Sequence, residues 1–155
     1  MEVRLFQPKD TEQIARLFHD TVRNINIRDY SAAQIVAWSP TDLYWRNWLK
    51  VCATRFTYVA IENHKIIGFG ELEENGHIDC FYIHYQHQRR GVGSSIYKAI
   101  EAKAKELDLT RLFVEASITA KPFFIKQGFK IINPQRVSCR GESFTNYLMD
   151  KELSG

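Results

Sequence analysis

The sequence predicts an α/β (α+β) fold: a mixed, mostly antiparallel central sheet of about seven strands with helices on both faces. Three observations lead there. Residues 57–62 and 66–72 are β-rich runs joined by Asn63-His64-Lys65, and Asn75-Gly76 turns the chain again before a third run at 77–85. An amphipathic stretch at 94–107 separates that run from another at 111–117, which is the order of a β-α-β crossover. Helical spacing fills most of the N-terminal third, behind one short opening strand.

Taken in order, Val3 and Leu5 flank Arg4 ahead of Pro8 and mark that strand. Asp10 with Gln13 has the form of a capping box, and Ile14, Leu17, Phe18 and Val22 then follow helical spacing. Ser31 with Gln34 repeats the signal before Ile35, Val36 and Trp38. Ser39-Pro40-Thr41-Asp42 offers a capping serine, a proline at the first helical position and an acid in the first turn. It predicts a third helix through Leu43, Trp45, Trp48 and Leu49. A two-residue turn at Asn75-Gly76 sets Glu74 against His77, Leu72 against Asp79 and Gly70 against Phe81. Alternation then puts His77, Asp79, Phe81 and Ile83 on one face, with Glu71, Glu73, Cys80, Tyr82 and His84 on the other. Ile96, Ile100, Ala104 and Leu107 form the apolar stripe of the crossover helix. A short helix at 120–127 accommodates Pro122 in its first turn and stops at Gly128, and runs at 129–132 and 144–149 complete the sheet.

A chain of 155 residues without repeats or linkers is expected to form one domain over residues 1–155. Hydrophobic residues at 45% and charged residues at 25% exclude disordered and fibrous classes. No apolar run reaches bilayer length, so no membrane partner is expected, and the N-terminus lacks the apolar centre of a secretory signal. Cys52, Cys80 and Cys139 show no C-x-x-C spacing; they fit a reducing cytoplasm and read as small buried hydrophobes. A net charge of +3 with dispersed lysines and arginines gives no nucleic-acid arm. A small anionic ligand suits this balance better.

The loop that carries chemistry is Gln88-Arg89-Arg90-Gly91-Val92-Gly93, between a strand and the helix starting near Ser94. Glycines let backbone approach a ligand, free amides at a helix start point outward, and the helix dipole favours negative charge there. Arg89, Arg90 and Ser94 add donors, so the loop suits a pyrophosphate. A dinucleotide fold is the rival, with Glu115 near the spacing of a ribose contact. The third small residue of that fingerprint is missing, and the loop does not follow its strand directly. His77, Asp79, Cys80, His84 and His87 raise a metal reading that strand alternation divides between faces, so no metal is expected.

Tyr82-Ile83-His84 followed by Gln88-x-x-Gly91-x-Gly93 resembles the acetyl-CoA signature of the GNAT acetyltransferase superfamily, in an uncharacterised bacterial-type branch. Arg4 and Asp10 resemble its opening, and Ala120-x-x-Phe-Phe-x-x-x-Gly128-Phe129 its fourth-helix motif, so the resemblance covers nearly the whole chain. It implies a GNAT-like fold and an N-acetyltransferase taking acetyl-CoA as co-substrate. Amides of Gln88, Arg89, Arg90, Gly91, Val92, Gly93 and Ser94 would hold the pyrophosphate. The backbone of Phe81, Ile83 and Tyr85 would pair with the pantetheine arm, and an amide of this strand, which includes Tyr82, would polarise the thioester carbonyl. Where the family usually carries its acid tyrosine this chain has Phe124, and where it commonly has asparagine this chain has Ser117. The acid role then passes to Ser117, Tyr82 or Tyr147, to water, or lapses.

An alkyl ammonium with pKa near ~10 must lose a proton before it attacks. Relatives with a carboxylate base commonly carry it early on this strand, so His77 and Asp79 lead as catalytic candidates, with Glu71 behind. The partner implied is a primary amine, either a small molecule or an amino terminus. Tyr30, Trp38, Trp45, Asn146 and Tyr147 are candidates to line its pocket, while Trp48 reads as core. The alternatives are a catalytically weak coenzyme-A-binding module and an interaction domain; a homodimer is a candidate assembly.

Overall fold

The structure, a computed structural model, describes residues 1–153. Its strands are β1 (Glu2–Leu5), β2 (Phe56–Glu62), β3 (Lys65–Leu72), β4 (His77–Ile83), β5 (Arg111–Ser117), β6 (Lys130–Cys139) and β7 (Glu142–Glu152). They form one sheet in the order β1-β2-β3-β4-β5-β7-β6. Every neighbouring pair is antiparallel except β4 and β5, which are parallel because a helix carries the chain back between them. The helices are α1 (Thr11–Asn24), α2 (Ala32–Trp38), α3 (Trp48–Ala53), α4 (Val92–Glu106) and α5 (Lys121–Lys126). The predicted mixed sheet of seven strands is the one observed.

Both faces of the sheet are apolar, so each is covered. Ile14, Phe18, Ile35 and Trp48 bring α1 to α3 onto Val59 and Phe69. On the opposite face Ile96, Ile100 and Ala104 seat α4 against Leu72, Ile78 and Leu112. Full burial of Ile96 and Ile100 stabilises by about 2 kcal/mol apiece. α4 lies close on β3 because that strand offers no side chain at the crossing. A Cβ on Gly70 would meet Phe81 at 2.8 Å and Ile100 at 3.0 Å.

Several local predictions give way to tertiary partners. The third helix does not start at Ser39. Ser39 ends α2, with its amide on the Ile35 carbonyl (2.8 Å) and its hydroxyl 3.2 Å from His19 Nδ1. Residues 40–47 are irregular, Asp42 takes the Tyr44 amide at 2.9 Å, and α3 begins at Trp48 beneath an Asn47 cap. This detour lays Trp45 on Phe18 (5.6 Å between rings) and delivers Arg46 to the sheet. Asp10 caps no amide of α1. Its carboxylate accepts Arg4 at 2.8 and 3.0 Å and the Gln7 amide at 2.8 Å, while Gln13 accepts the Ile66 amide at 3.0 Å. The Ser31–Gln34 box forms as expected.

The hairpin before the loop differs from its prediction in one consequential way. At the β2–β3 turn both Asn63 and His64 have positive φ (52° and 64°), the primed two-residue geometry. At Asn75-Gly76 only Gly76 does (97°). Glu73 and His77 close a three-residue loop through Glu73 N–H to His77 O (2.8 Å). Gly70 still faces Phe81, but Leu72 faces Ile78 rather than Asp79, and the extra residue on β4 makes a bulge. Alternation therefore breaks at Asp79. Ile78, Phe81 and Ile83 join the core under α4, while Cys80 and Tyr82 pack on the α1 face, where Asp79 meets Glu71 and its arginine partners. The predicted grouping of His77 and Asp79 with Phe81 and Ile83 is thus corrected. β6 and β7 also run much further than predicted, around an Arg140-Gly141 turn. Most of β6 is an exposed edge whose polar residues mark no apolar face.

Candidate active site

β4 and β5 share only the register pairs His77↔Phe113 and Ile78↔Val114 and then part. Two cavities open into the gap: a cleft of about 170 Å³ on the α5 side and a chamber of about 400 Å³ on the α2 side. Trp38, Asp79, Tyr82, Glu115 and Ser117 line both, so the cavities meet at these five residues.

The cleft is walled by Phe81, Ile83, Gln88, Ala120, Phe123 and Phe124, among others. His84 N–H bonds the Ile67 carbonyl (2.8 Å), so antiparallel alternation turns the Phe81 and Ile83 amides toward the vacated β5 edge. The Ile83 carbonyl is already taken by Gln88 Nε2 at 2.6 Å and Thr21 Oγ1 at 3.3 Å. Gln88 thereby ties the loop to the strand. Tyr85 does not extend β4 as expected, because the strand ends at Ile83 and residues 85–87 form a 3-10 turn.

Beyond it, Arg89 and Gly91 have φ of 59° and 80°, and Gly91 starts α4. The helical ladder opens with Ser95 N–H to Gly91 O (3.1 Å), leaving the Val92, Gly93 and Ser94 amides ahead of it without helical acceptors. A Cβ at Gly91 would find no atom within 4 Å, whereas one at Gly93 would meet the Phe123 ring at 2.8 Å. Arg89 and Arg90 are exposed beside these amides, and Ser94 Oγ accepts Gln127 at 3.2 Å, which leaves its own proton to donate.

At the junction the charged groups are ordered by one another. His77 lies between two carboxylates, with Nε2 2.5 Å from Glu115 and Nδ1 3.4 Å from Glu73, and its ring stacks on Phe113. Asp79 accepts Arg46 (3.2 Å) and Arg55 on the same oxygen, Oδ2, and its Oδ1 is left over. Both arginines also grip the fully buried Glu71: Arg46 at 2.8 and 2.9 Å, Arg55 at 2.8 Å. Glu71, Asp79 and Cys80 thus converge through the bulge, contrary to the expected split. Two guanidiniums already neutralise the carboxylates, and burial pushes the Cys80 thiol well above its ordinary pKa. That chemistry makes an ion-pair network, not a cation cage. Burial likewise holds the Tyr82 phenol well above its usual range and keeps it protonated.

Of the candidate acids, Ser117 and Tyr82 reach the junction, and Tyr147 lines neither cavity. Ser117 Oγ accepts the Ala120 amide at 3.0 Å, the local bonding expected of a serine ending a strand. Phe124 is almost fully buried, within 5.6 Å of Phe81 and 5.2 Å of Phe123 and Phe129 by ring centroids. Tyr30, Trp38, Trp45 and Asn146 line the chamber, and Trp48 is core, as read from the sequence. Glu115, Arg46 and Arg55 were not found as site residues. The alternation Phe113, Glu115, Ser117 on β5 was the available signal for the first; the arginines had none, since Arg46 lies in the irregular segment 40–47 and Arg55 in the short link between α3 and β2.

The profile of the acetyltransferase (GNAT) domain matches residues 26–151. The chain belongs to the GNAT acetyltransferase family. It is 37% identical over 149 residues to the uncharacterised N-acetyltransferase YafP of Escherichia coli K12, covering 96% of this chain and 94% of that one. A crystal structure described as a GCN5-related N-acetyltransferase, aminotransferase class-II, from Rhodopseudomonas palustris superposes with a TM-score of 0.92. It is 29% identical over 98% of this chain and 95% of that one. The PaiA N-acetyltransferase of Thermoplasma acidophilum, solved with coenzyme A, shares the fold at a TM-score of 0.80 and 16% identity, over 98% of each chain.

The GNAT chain is accordingly an acyl-CoA-dependent N-acetyltransferase whose co-substrate is acetyl-CoA. Its residues fit that molecule. The unladdered amides at the start of α4 and the open space over Gly91 suit phosphates, and the vacated edge at Phe81 and Ile83 suits an amide-bearing arm.

Proposed function

We propose that this enzyme acetylates a primary amine by direct attack within a ternary complex, and that residues 1–155 act as one N-acetyltransferase domain. The observation that carries this is the meeting of the two cavities at Asp79, Glu115 and Ser117, beside the parting of β4 and β5. One cavity suits the coenzyme arm and the other an acceptor, and the titratable groups lie between them.

In this reading the Gln88 to Ser94 segment binds the phosphates, and the edge amides of Phe81 and Ile83 hold the arm and polarise the thioester carbonyl. The acceptor ammonium, drawn to Asp79, gives its proton to Glu115. Glu115 is backed by His77, which reaches Glu73 and provides an outward route for that proton. The amine nitrogen then bonds to the acetyl carbon, the carbon–sulfur bond breaks, the thiolate leaves, and the second proton shed by the nitrogen is relayed to it. Phe124 has no proton to donate, so the Ser117 hydroxyl or water meets the thiolate. Asp79, whose Oδ2 is committed to two arginines, serves this reading better as the ammonium's electrostatic partner than as its base.

Phe124 also favours a second reading, a coenzyme-A-binding module of little activity. Thiol release over an amine panel separates them, since the module binds coenzyme A and releases no thiol with any acceptor. For the base, Glu115→Gln is expected to lower kcat/KM about 100-fold with unchanged coenzyme affinity and to remove the acid limb of the pH–rate profile. His77→Gln should shift that limb. A wild-type pH profile in Glu115→Gln hands the role back to Asp79. The dispersed basic residues support a reading without nucleic acid, and among the described residues no helix is long and apolar enough to cross a membrane. Three free thiols support a cytoplasmic setting.

A further inference from the structure

The chamber on the α2 side is built from rings. Phe18, Trp45 and Tyr82 form one wall, with ring centroids 5.6 Å apart for Phe18–Trp45 and 4.9 Å for Phe18–Tyr82. Tyr30, Trp38 and Phe144 form another, at 5.2 to 5.9 Å. These walls come from four separate parts of the chain: α1, the segment 30–45, β4 and β7. The Tyr30 hydroxyl fixes the second wall to the sheet by donating to the Thr145 carbonyl (3.1 Å) and accepting the Ile118 amide (2.9 Å).

Charge in the chamber is one-sided. Asp79 and Glu115 line it at the junction, and among the described residues its one lining cation is Arg46. Arg46 is already drawn to acids of the protein, with Nη1 on Glu71 and Nη2 bridging Glu71 and Asp79. Arg140, the nearest alternative, lies over the Trp45 ring at 5.0 Å, donates to the Ala37 carbonyl at 2.7 Å, and does not line the cavity. A carboxylate brought into the chamber would therefore meet two like charges and one cation already shared between Glu71 and Asp79. An ammonium would meet the acid in excess, since Arg46 and Arg55 are shared among Glu71, Glu73 and Asp79 while Glu115 has neither, together with the faces of electron-rich rings.

We infer that the acceptor is an arylalkylamine: a primary ammonium carried a few bonds from a flat aromatic body, with no carboxylate beside the nitrogen. The ring enters between the two aromatic walls, and the ammonium lies at Asp79 and Glu115, facing the thioester. The inference rests on the transfer reading above for the position of the nitrogen and on the chamber alone for the body. Free α-amino acids and acidic peptide termini are disfavoured by the excess of acid at the junction. Straight-chain alkylamines are left weaker because they forgo ring stacking.

The experiment measures, by calorimetry, binding of phenethylamine, tryptamine, hexylamine, phenylalanine and tryptophan to the full chain saturated with coenzyme A, alongside thiol release from acetyl-CoA. The arylalkylamines are expected to bind about 10-fold more tightly than hexylamine and about 100-fold more tightly than their carboxylated counterparts. Trp45→Leu should erase the preference over hexylamine while coenzyme affinity, read separately, reports an intact fold. Equal or tighter binding of phenylalanine or tryptophan overturns the inference, as does a hexylamine preference in the wild type. Arylalkylamine binding without thiol release refutes the transfer reading and leaves the chamber's ligand class standing. Turnover of hexylamine without arylalkylamine binding refutes the ligand class and leaves transfer standing.

Discussion

Replacing Gly91 by glutamate, with alanine as the control, tests the phosphate loop most directly. Gly91 has φ of 80°, and a Cβ there meets nothing within 4 Å, so both side chains start into open space. What both share is the left-handed backbone, worth about 1 to 2 kcal/mol against any residue with a Cβ. In a domain of this size that lowers Tm by roughly 2–8 °C. Only glutamate adds charge. A carboxylate about 6 Å from a phosphate charge is repelled by roughly 1 to 2 kcal/mol at an effective dielectric of about 40. Two phosphate charges bring the total to about 3 kcal/mol, or ~100-fold in affinity. Titration of coenzyme A by calorimetry should show Gly91→Ala within about 5-fold of the wild type and Gly91→Glu weaker by about 100-fold. Both variants should melt alike. Equal affinities in the two variants would remove the phosphates from this loop.

Two stability predictions follow from the ion pairs. Glu71 is fully buried between Arg46 and Arg55, and Glu71→Gln leaves both guanidiniums short of a charge partner. A loss of about 3 kcal/mol in urea unfolding is expected, and a wild-type midpoint would contradict it. For Asp10, burial alone would raise the pKa, but the Arg4 hydrogen bonds and the Gln7 amide outweigh it and hold the carboxyl below its ordinary range. A group depressed in the folded state contributes its stability above the unfolded pKa near ~3.9 and loses it as pH falls through the folded value. Asp10→Asn should therefore lower stability at pH 7 and flatten its decline below about pH 4; an unchanged acid limb would refute the pairing.

The elements that were legible in the sequence are those whose partners are near in the chain or whose period is set by a single face. The Ser31–Gln34 box, the Asn63-His64 turn and the Ile96, Ile100, Ala104 stripe need only local bonding and one apolar surface. The failures share a cause as well. Asp10 gives up a helix cap because Arg4 offers charge-assisted bonds across a strand, and Pro40 starts no helix because Trp45 and Arg46 have better places on Phe18 and Glu71. Strand β6 was underestimated because its outer edge and exposed faces leave alternation nothing to report.

By itself the sequence determined the coenzyme side. The proposed phosphate site uses the left-handed Gly91, the free amides of the helix start and the Gln88 tie to β4, all of which depend on spacing within one loop. Only the tertiary structure decided which charged groups meet where the two cavities join. A single extra residue on β4, between Ile78 and Phe81, reverses which face Asp79 takes, and alternation carries no warning of it. His77 meets Glu115 only because β4 and β5 run parallel there, and Arg46 and Arg55 reach Glu71 from segments without periodicity. Charge pairing in a chamber is a property of surfaces brought together from α1, the 30–45 segment and three strands, so no stretch of chain holds it.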